Sequence, residues 1–238
     1  LLTMHHLLRG LQPRLLAPHI EPLKARIEAL LETPAQSASE VMKRIRVLPI
    51  GARRVEPACF QMLAHALLAR RRIHVRHFSR ERNQESQREL SPQRLVHYRD
   101  NWYLDAWDHC VDGLRTFSVE MIRSVDLVDE RASDVSDRLL DEELSSGYGI
   151  FAGKGSRTAR LRFTPQRARW VEGEIWHSKQ RATFDGEHYI LEVPYSDDRE
   201  LLMDILRYGT DVEVLAPKAL RRKIRERFRE AAAQYETD

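Results

Sequence analysis

With 238 residues the chain is long enough for one large or two modest domains with genuine cores. Its 42% hydrophobic and 32% charged content excludes a membrane-embedded bundle, since no apolar run approaches the roughly 20 residues of a spanning helix. Residues 1–20 lack the basic start, apolar core and small-residue cleavage site of a secretory leader, and Cys59 and Cys110 have no metal spacing. The expected location is a reducing cytoplasm, with no membrane partner. A formal net charge of +3 is weak evidence for a nucleic-acid partner, so the distribution of charge matters more than its sum. Arg70, Arg71, Arg72, Arg76, Arg80, Arg82, Arg88, Arg94 and Arg99 crowd one interval against Glu81, Glu85 and Glu89, and Asp134, Asp137, Asp141, Glu142 and Glu143 make the next one acidic.

In chain order, Ile20, Leu23, Ile27, Leu30 and Leu31 recur at three and four, with Pro22 suited to a first turn and Pro34 past the end, which predicts an amphipathic helix. Residues 45–50 read as a short extended piece. Phe60, Leu63, Ala64, Leu67 and Leu68 mark a second helix begun near Pro57. Short strands are then expected over 73–78, 88–92, 95–98, 102–108 and 115–117, with 122–128 closing or flanking them. Turn residues stand at Arg99-Asp100-Asn101 and Val111-Asp112-Gly113. Such spacing predicts a small barrel.

Residues 134–157 read as a connector, acidic and then glycine-rich. Gly147-Tyr148-Gly149-Ile150-Phe151-Ala152 meets a dinucleotide fingerprint in letters only, because no strand precedes it and no long helix follows. Gly153-Lys154-Gly155-Ser156 likewise misses the phosphate-loop spacing. The segment is expected to fold back through Tyr148, Ile150 and Phe151. Beyond it, strand 157–163, helix 165–172, strands 180–184 and 189–194 joined at Asp185-Gly186, helix 198–208, strand 212–216 and helix 217–235 give βαββαβ plus a terminal helix, a ferredoxin-like plan. Leu220, Ile224, Phe228 and Ala232 line one face of the last helix and leave Arg221, Arg222, Lys223, Arg225 and Arg229 outward.

The block Trp102-Tyr103-Leu104 is preceded by Ile73-His74-Val75-Arg76-His77 and by Arg88-Glu89-Leu90-Ser91-Pro92-Gln93-Arg94-Leu95. It is followed by Arg115-Thr116-Phe117 and Met121-Ile122-Arg123. In order and spacing these parts resemble the WYL domain, a small SH3-like or Sm-like β-barrel that acts as a ligand-sensing module in bacterial transcription factors. The resemblance covers about residues 70–130. Residues 158–238 are similar to the C-terminal extension that accompanies many WYL domains, through element order. His77 stands where the family more often has Tyr.

The resemblance implies a winged helix-turn-helix upstream, and none is present. The sequence is therefore expected to be a fragment in which residues 1–12 are the tail of that head or the first connector helix, the alternative being a protein that never had one. The expected divisions are a helical connector and dimerisation region over 1–69, the barrel over 70–133, a linker over 134–157 and the ferredoxin-like domain over 158–238, an α+β chain throughout.

The arginines suggest anion binding, since guanidinium forks grip phosphate oxygens bidentately. The expected ligand-binding set is His77, Arg80, Arg88, Ser91, Tyr103, Arg115, Phe117 and Arg123, with Arg80, Arg88, Arg115 and Arg123 converging on one mouth of the barrel. Trp102 and Phe117 are expected mainly in the core, Tyr103 offers a phenol, and His77 donates when protonated. The bland reading of these arginines is a solvated strand edge. His5-His6, His74 and His109 form no metal grouping, and no catalytic constellation stands out, so neither metal, cofactor nor enzyme activity is expected.

The function implied is the effector-sensing part of a homodimeric bacterial regulator that binds a nucleotide or short oligonucleotide. Double-stranded DNA would be reached only through the absent head, and the pairing helix is expected before residue 70. The alternatives are a direct RNA or single-stranded DNA binding module and a phosphate-handling enzyme.

Overall fold

The computed structural model describes residue 53 and residues 55–144, 148–150 and 157–236. The helix expected over 20–31, the extended piece over 45–50 and residues 1–12 lie outside them. The chain divides into two compact α+β units, residues 1–135 and 136–238.

In the first unit, helix α1 (Pro57–Leu68) starts with Pro57 in its first turn, where the missing N–H removes no helical bond. Strands β1 (Arg71–Ser79), β2 (Gln84–Tyr98), β3 (Asn101–Asp108), β4 (Gly113–Ser118) and β5 (Ile122–Arg131) follow, a single 3₁₀ turn (Val119–Met121) joining the last two. They form one antiparallel sheet in the order β4-β3-β2-β1-β5. Arg99 and Asp100 both take positive φ between the paired Tyr98 and Asn101, the signature of a tight two-residue hairpin whose twist suits the strands it joins.

Two sequence expectations change. The strands expected over 88–92 and 95–98 are one strand of 15 residues, because Pro92 keeps its place opposite Ala106 and a bulge at the next residue, Gln93, carries the strand past it without a break. The expected barrel is not closed, since no pairing joins β4 to β5. The sheet nevertheless curls strongly. β1 and β4 stand three strand spacings apart, about 14 Å on a flat sheet, yet the rings of His77 on β1 and Phe117 on β4 are 5.2 Å apart. The inner face of the curl packs Ile73, Val75, Leu90, Leu104, Ala106, Phe117 and Ile122 against Phe60, Leu63 and Ala66 of α1.

On the other face of β2 the chain leaving β5 is fastened in place. Ser133 N–H donates to Ser91 Oγ at 2.9 Å, Gln93 Nε2 donates to the Ser133 carbonyl at 2.7 Å, and Val135 N–H donates to Gln93 Oε1 at 3.1 Å.

The second unit begins with helix α2 (Asp137–Leu144), where a connector alone was expected. β6 (Arg157–Phe163), α3 (Pro165–Val171), β7 (Arg181–Asp185), β8 (His188–Tyr195), α4 (Arg199–Arg207), β9 (Val212–Ala216) and α5 (Lys218–Ala233) follow, and the sheet order is β7-β8-β6-β9. Ala159, Leu161 and Phe163 of β6 and Leu191, Val193 and Tyr195 of β8 alternate onto one face, buried against Leu201 and Ile205 of α4 and Leu220 and Ile224 of α5.

Tyr148 joins this core and donates its hydroxyl to Asp204, while Ile150 N–H donates to Glu200 Oε2. Gly149 lies between them at φ +79°, and a Cβ there would collide with the Glu200 carboxylate, so the glycine serves close approach to α4. Phe151 and the glycines at 147, 153 and 155 are outside the described residues.

Candidate anion-binding site

Strand pairing decides which side chains share a face. Ile73 sits opposite Leu90, Val75 opposite Arg88 and His77 opposite Ser86, while Asp108 sits opposite Leu90, Arg115 opposite Ala106 and Phe117 opposite Leu104. Alternation therefore puts His77, Arg88, Asp108, Arg115 and Phe117 on the inner face with the core.

Arg88 is oriented by two acceptors. Its Nε donates to Ser86 Oγ at 3.2 Å and its Nη1 pairs with Asp108 Oδ2 at 3.3 Å, where the carboxylate is 1% exposed and the guanidinium 21%. Asp108 also accepts the Cys110 N–H. The remaining Arg88 donors are thereby held in a fixed fork, the geometry suited to a phosphate or carboxylate.

His77 meets Phe117 edge to face at 5.2 Å. Burial lowers the His77 pKa and the nearby Arg88 charge lowers it further, while Glu120 and Asp108 pull the other way. The net effect favours a neutral imidazole beside the Arg88 guanidinium. Arg115 is exposed, with no ion pair among the described residues.

A second group sits around the 3₁₀ turn. Glu120, whose side chain is 3% exposed, receives Arg53 Nη1 at 2.8 Å and Arg80 Nη1 at 3.1 Å through Oε1, while its Oε2 is buried without a hydrogen-bond partner among the described residues. Burial works against the Arg53 charge, yet its bonds to Glu120 and to the Tyr103 hydroxyl hold it more firmly protonated. Tyr103 is buried and belongs to the other sheet face, opposite Val96 and Ser118, and it meets this group through Arg53.

Of the residues expected from sequence, the fold brings together His77, Arg88 and Phe117, with Arg115 on the same face and Arg80 joined to Glu120. It sets three apart. Arg123 stacks its guanidinium over Phe78, 5.7 Å from the ring centroid, on the face opposite His77. Ser91 is fully buried, 2.8 Å from His109 Nε2 and bonded to Ser133, so it ties the exit segment down. Tyr103 stands behind Arg53. Trp102 packs edge to face on Phe60 of α1 at 5.2 Å and Phe117 joins the core, as their aromatic character suggested.

Sequence reasoning missed Asp108, Glu120 and Arg53. Asp108 was findable, since it alternates with Ala106 and Leu104 and so had to face inward. Glu120 and Arg53 are 67 residues apart and carry no local pattern. Among the described residues no group of three or more His, Cys, Asp or Glu is placed to hold a metal ion, and no helix is long and apolar enough to cross a membrane.

Residues 58–127 match the WYL domain and residues 156–232 match the WCX domain. No curated protein matches the chain. Among solved structures it is similar to proteasome accessory factor B/C of Arthrobacter aurescens at 23% identity, over 79% of this chain and 29% of that one, with a TM-score of 0.35. It is also similar to a protein described as CRISPR Cas-related at 12% identity, over 76% of this chain and 53% of that one, with a TM-score of 0.47. The chain thus spans less than a third of the length of the first and about half of the second.

Proposed function

Because the chain belongs to the WYL-domain regulators through its WYL and WCX domains, we propose that it is the effector-sensing portion of a homodimeric bacterial transcriptional regulator, and that its ligand is a nucleotide or short single-stranded oligonucleotide. In this reading the first sheet is a rolled SH3-like or Sm-like barrel and the second unit is ferredoxin-like, its four strands running β9-β6-β8-β7 beneath two helices. Double-stranded DNA is reached through a separate helix-turn-helix head.

The observation that carries the proposal is the Arg88 guanidinium, fixed by the buried Asp108 and facing the inside of the curl beside His77 and Phe117. A phosphate oxygen takes the free side of that fork. Arg115 supplies a second cation from the same face, Phe117 and the imidazole offer ring edges to a base, and Arg80 approaches from the end of β1. A phosphate there favours the His77 imidazolium, which burial and the Arg88 charge otherwise disfavour.

The test is fluorescence anisotropy of a labelled ten-nucleotide single strand with the full chain over a salt series. Log affinity is expected to fall linearly with log salt by about 0.7 per phosphate neutralised, and Arg115→Ala is expected to reduce that slope by about one contact. Arg88→Lys keeps the charge but loses the planar fork, so it should recover only part of the affinity lost in Arg88→Ala. Equal affinity in wild type, Arg88→Lys and Arg115→Ala would remove the site.

A further inference from the structure

The two edges of the second sheet are treated differently. At the β9 edge, Arg221 Nη1 donates to the Val214 carbonyl at 2.8 Å and also pairs with Glu213, so a guanidinium occupies backbone that a foreign strand would need. β7 pairs with β8 on one side only, and each of its five residues is exposed. Phe184 is 53% exposed, touching Tyr189 edge to face at 5.2 Å. Arg181 and Asp185, at the two ends of the strand, have no ion-pair partner among the described residues.

We propose that β7 is the seam of the homodimer, pairing antiparallel with β7 of a second copy about a two-fold axis at Thr183. The inference rests on the homodimer in the reading above and moves its contact from the region before residue 70 to the second unit. In an antiparallel pair of identical strands centred on Thr183, Arg181 faces Asp185 of the copy and Asp185 faces its Arg181, while Ala182 lies beside Phe184 at both symmetric positions. No other register sets both charges against opposite charges. Alternation sends Arg181, Thr183 and Asp185 to one face and Ala182 and Phe184 to the other, so the charge pairs and the large-on-small apolar pairs are satisfied at once. The contact is isologous, as a closed two-fold dimer requires, and it joins two four-stranded sheets into one of eight. Both backbone edges gain hydrogen-bond partners, and the exposed Phe184 ring loses water.

The experiment measures the monomer–dimer equilibrium of the full chain by sedimentation, with melting curves to show that each variant folds. Wild type is expected at twice the chain mass of 27.9 kDa. Arg181→Asp and Asp185→Arg each set like charges opposite one another at both ends of the seam and should weaken the dimer about tenfold or more, and the double swap should restore it to within about threefold of wild type. Thr183→Cys, made in a Cys110→Ser background so that Cys110 cannot react, should form an intersubunit disulfide under mild oxidation, because facing side chains of such a pair lie close to disulfide spacing. A wild-type dimer that none of the charge variants weakens and that does not cross-link overturns the seam and leaves the homodimer standing. A wild-type monomer at high micromolar concentration overturns both.

Discussion

Three acids of the first unit hold arginines from buried positions, although its Asp129, Glu130 and Asp134 pair with arginines in solvent, whereas Glu213 and Glu192 of the second unit stand partly in water. Asp108, Asp105 and Glu120 have side chains 1%, 3% and 3% exposed and hold Arg88, Arg94 and the pair Arg53 and Arg80. Glu213, at 35%, pairs with Arg162 and Arg221, and Glu192, at 39%, lies 3.8 Å from Arg160. An exposed pair of this kind is worth about 0–1 kcal/mol and its members are free to exchange partners. A buried acid cannot be left alone, so it dictates where its arginine points and keeps it there. The first unit therefore carries four guanidinium groups aimed in advance, those of Arg88, Arg94, Arg53 and Arg80, beside solvated pairs of the kind the second unit shows at Glu213 and Glu192. Arginine-richness, common to both, distinguishes nothing; the surroundings of the acid do.

The largest effect is expected from Arg88→Ala. It strands the Asp108 carboxylate, so unfolding free energy should fall by about 1–3 kcal/mol and oligonucleotide binding by about 1.5–3 kcal/mol, read by melting and by calorimetry. A loss of affinity without a loss of stability would show that Asp108 does not depend on Arg88. Arg115→Ala is the cleaner probe of binding. With no ion pair to abandon among the described residues, it should cost about 1–2 kcal/mol of ligand affinity and shift stability by no more than about 0.5 kcal/mol.

The lowered pKa of His77 makes a prediction with a definite sign. The folded state resists protonating this ring, so the unfolded chain binds more protons between the folded value and the ordinary value near 6.5. His77 should contribute no pH dependence well above 6.5 and should lower stability as pH falls below it. A bound phosphate reverses the preference, so oligonucleotide affinity should rise over the same interval. His77→Phe should flatten both trends, and a binding curve of unchanged slope in that variant would exclude the imidazole from the site. The smallest effect belongs to the second unit, where Glu213→Gln should change stability by less than about 1 kcal/mol and leave oligonucleotide binding as it was.

Elements with a strong local pattern were legible in the sequence. The alternation of Trp102, Leu104 and Ala106 identified β3, Pro57 marked the start of α1, and Asp185-Gly186 announced the β7–β8 hairpin, where Gly186 takes a φ of +61°. Pro92 misled because a proline inside a strand reads as a break unless the bulge that accommodates it is known. The acidic run over 137–144 looked like connector because only Leu140 of α2 is buried, which leaves little apolar periodicity to detect.

At the site, arginine identity was legible and arginine environment was not. Tyr103 and Phe117 seemed to belong to one surface, yet Tyr103 pairs with Ser118 and Phe117 with Leu104, and a one-residue step along a strand reverses the face. Register across β3 and β4 was needed to see it, as it was to find that Glu120 anchors both Arg53 and Arg80.

The bonds from Ser91 and Gln93 to residues 133–135 give β2 a second role, as a mechanical member. Gln93 lies five positions beyond Arg88, about 17 Å of extended chain. The only covalent exit toward the second unit is thus clamped to the same strand that carries the oriented guanidinium, and the clamping Gln93 is itself the residue left out of the ladder at the bulge. The segment that leaves the first unit is thereby held by side chains of the same strand that carries Arg88, so the oriented guanidinium and the tether share one rigid element.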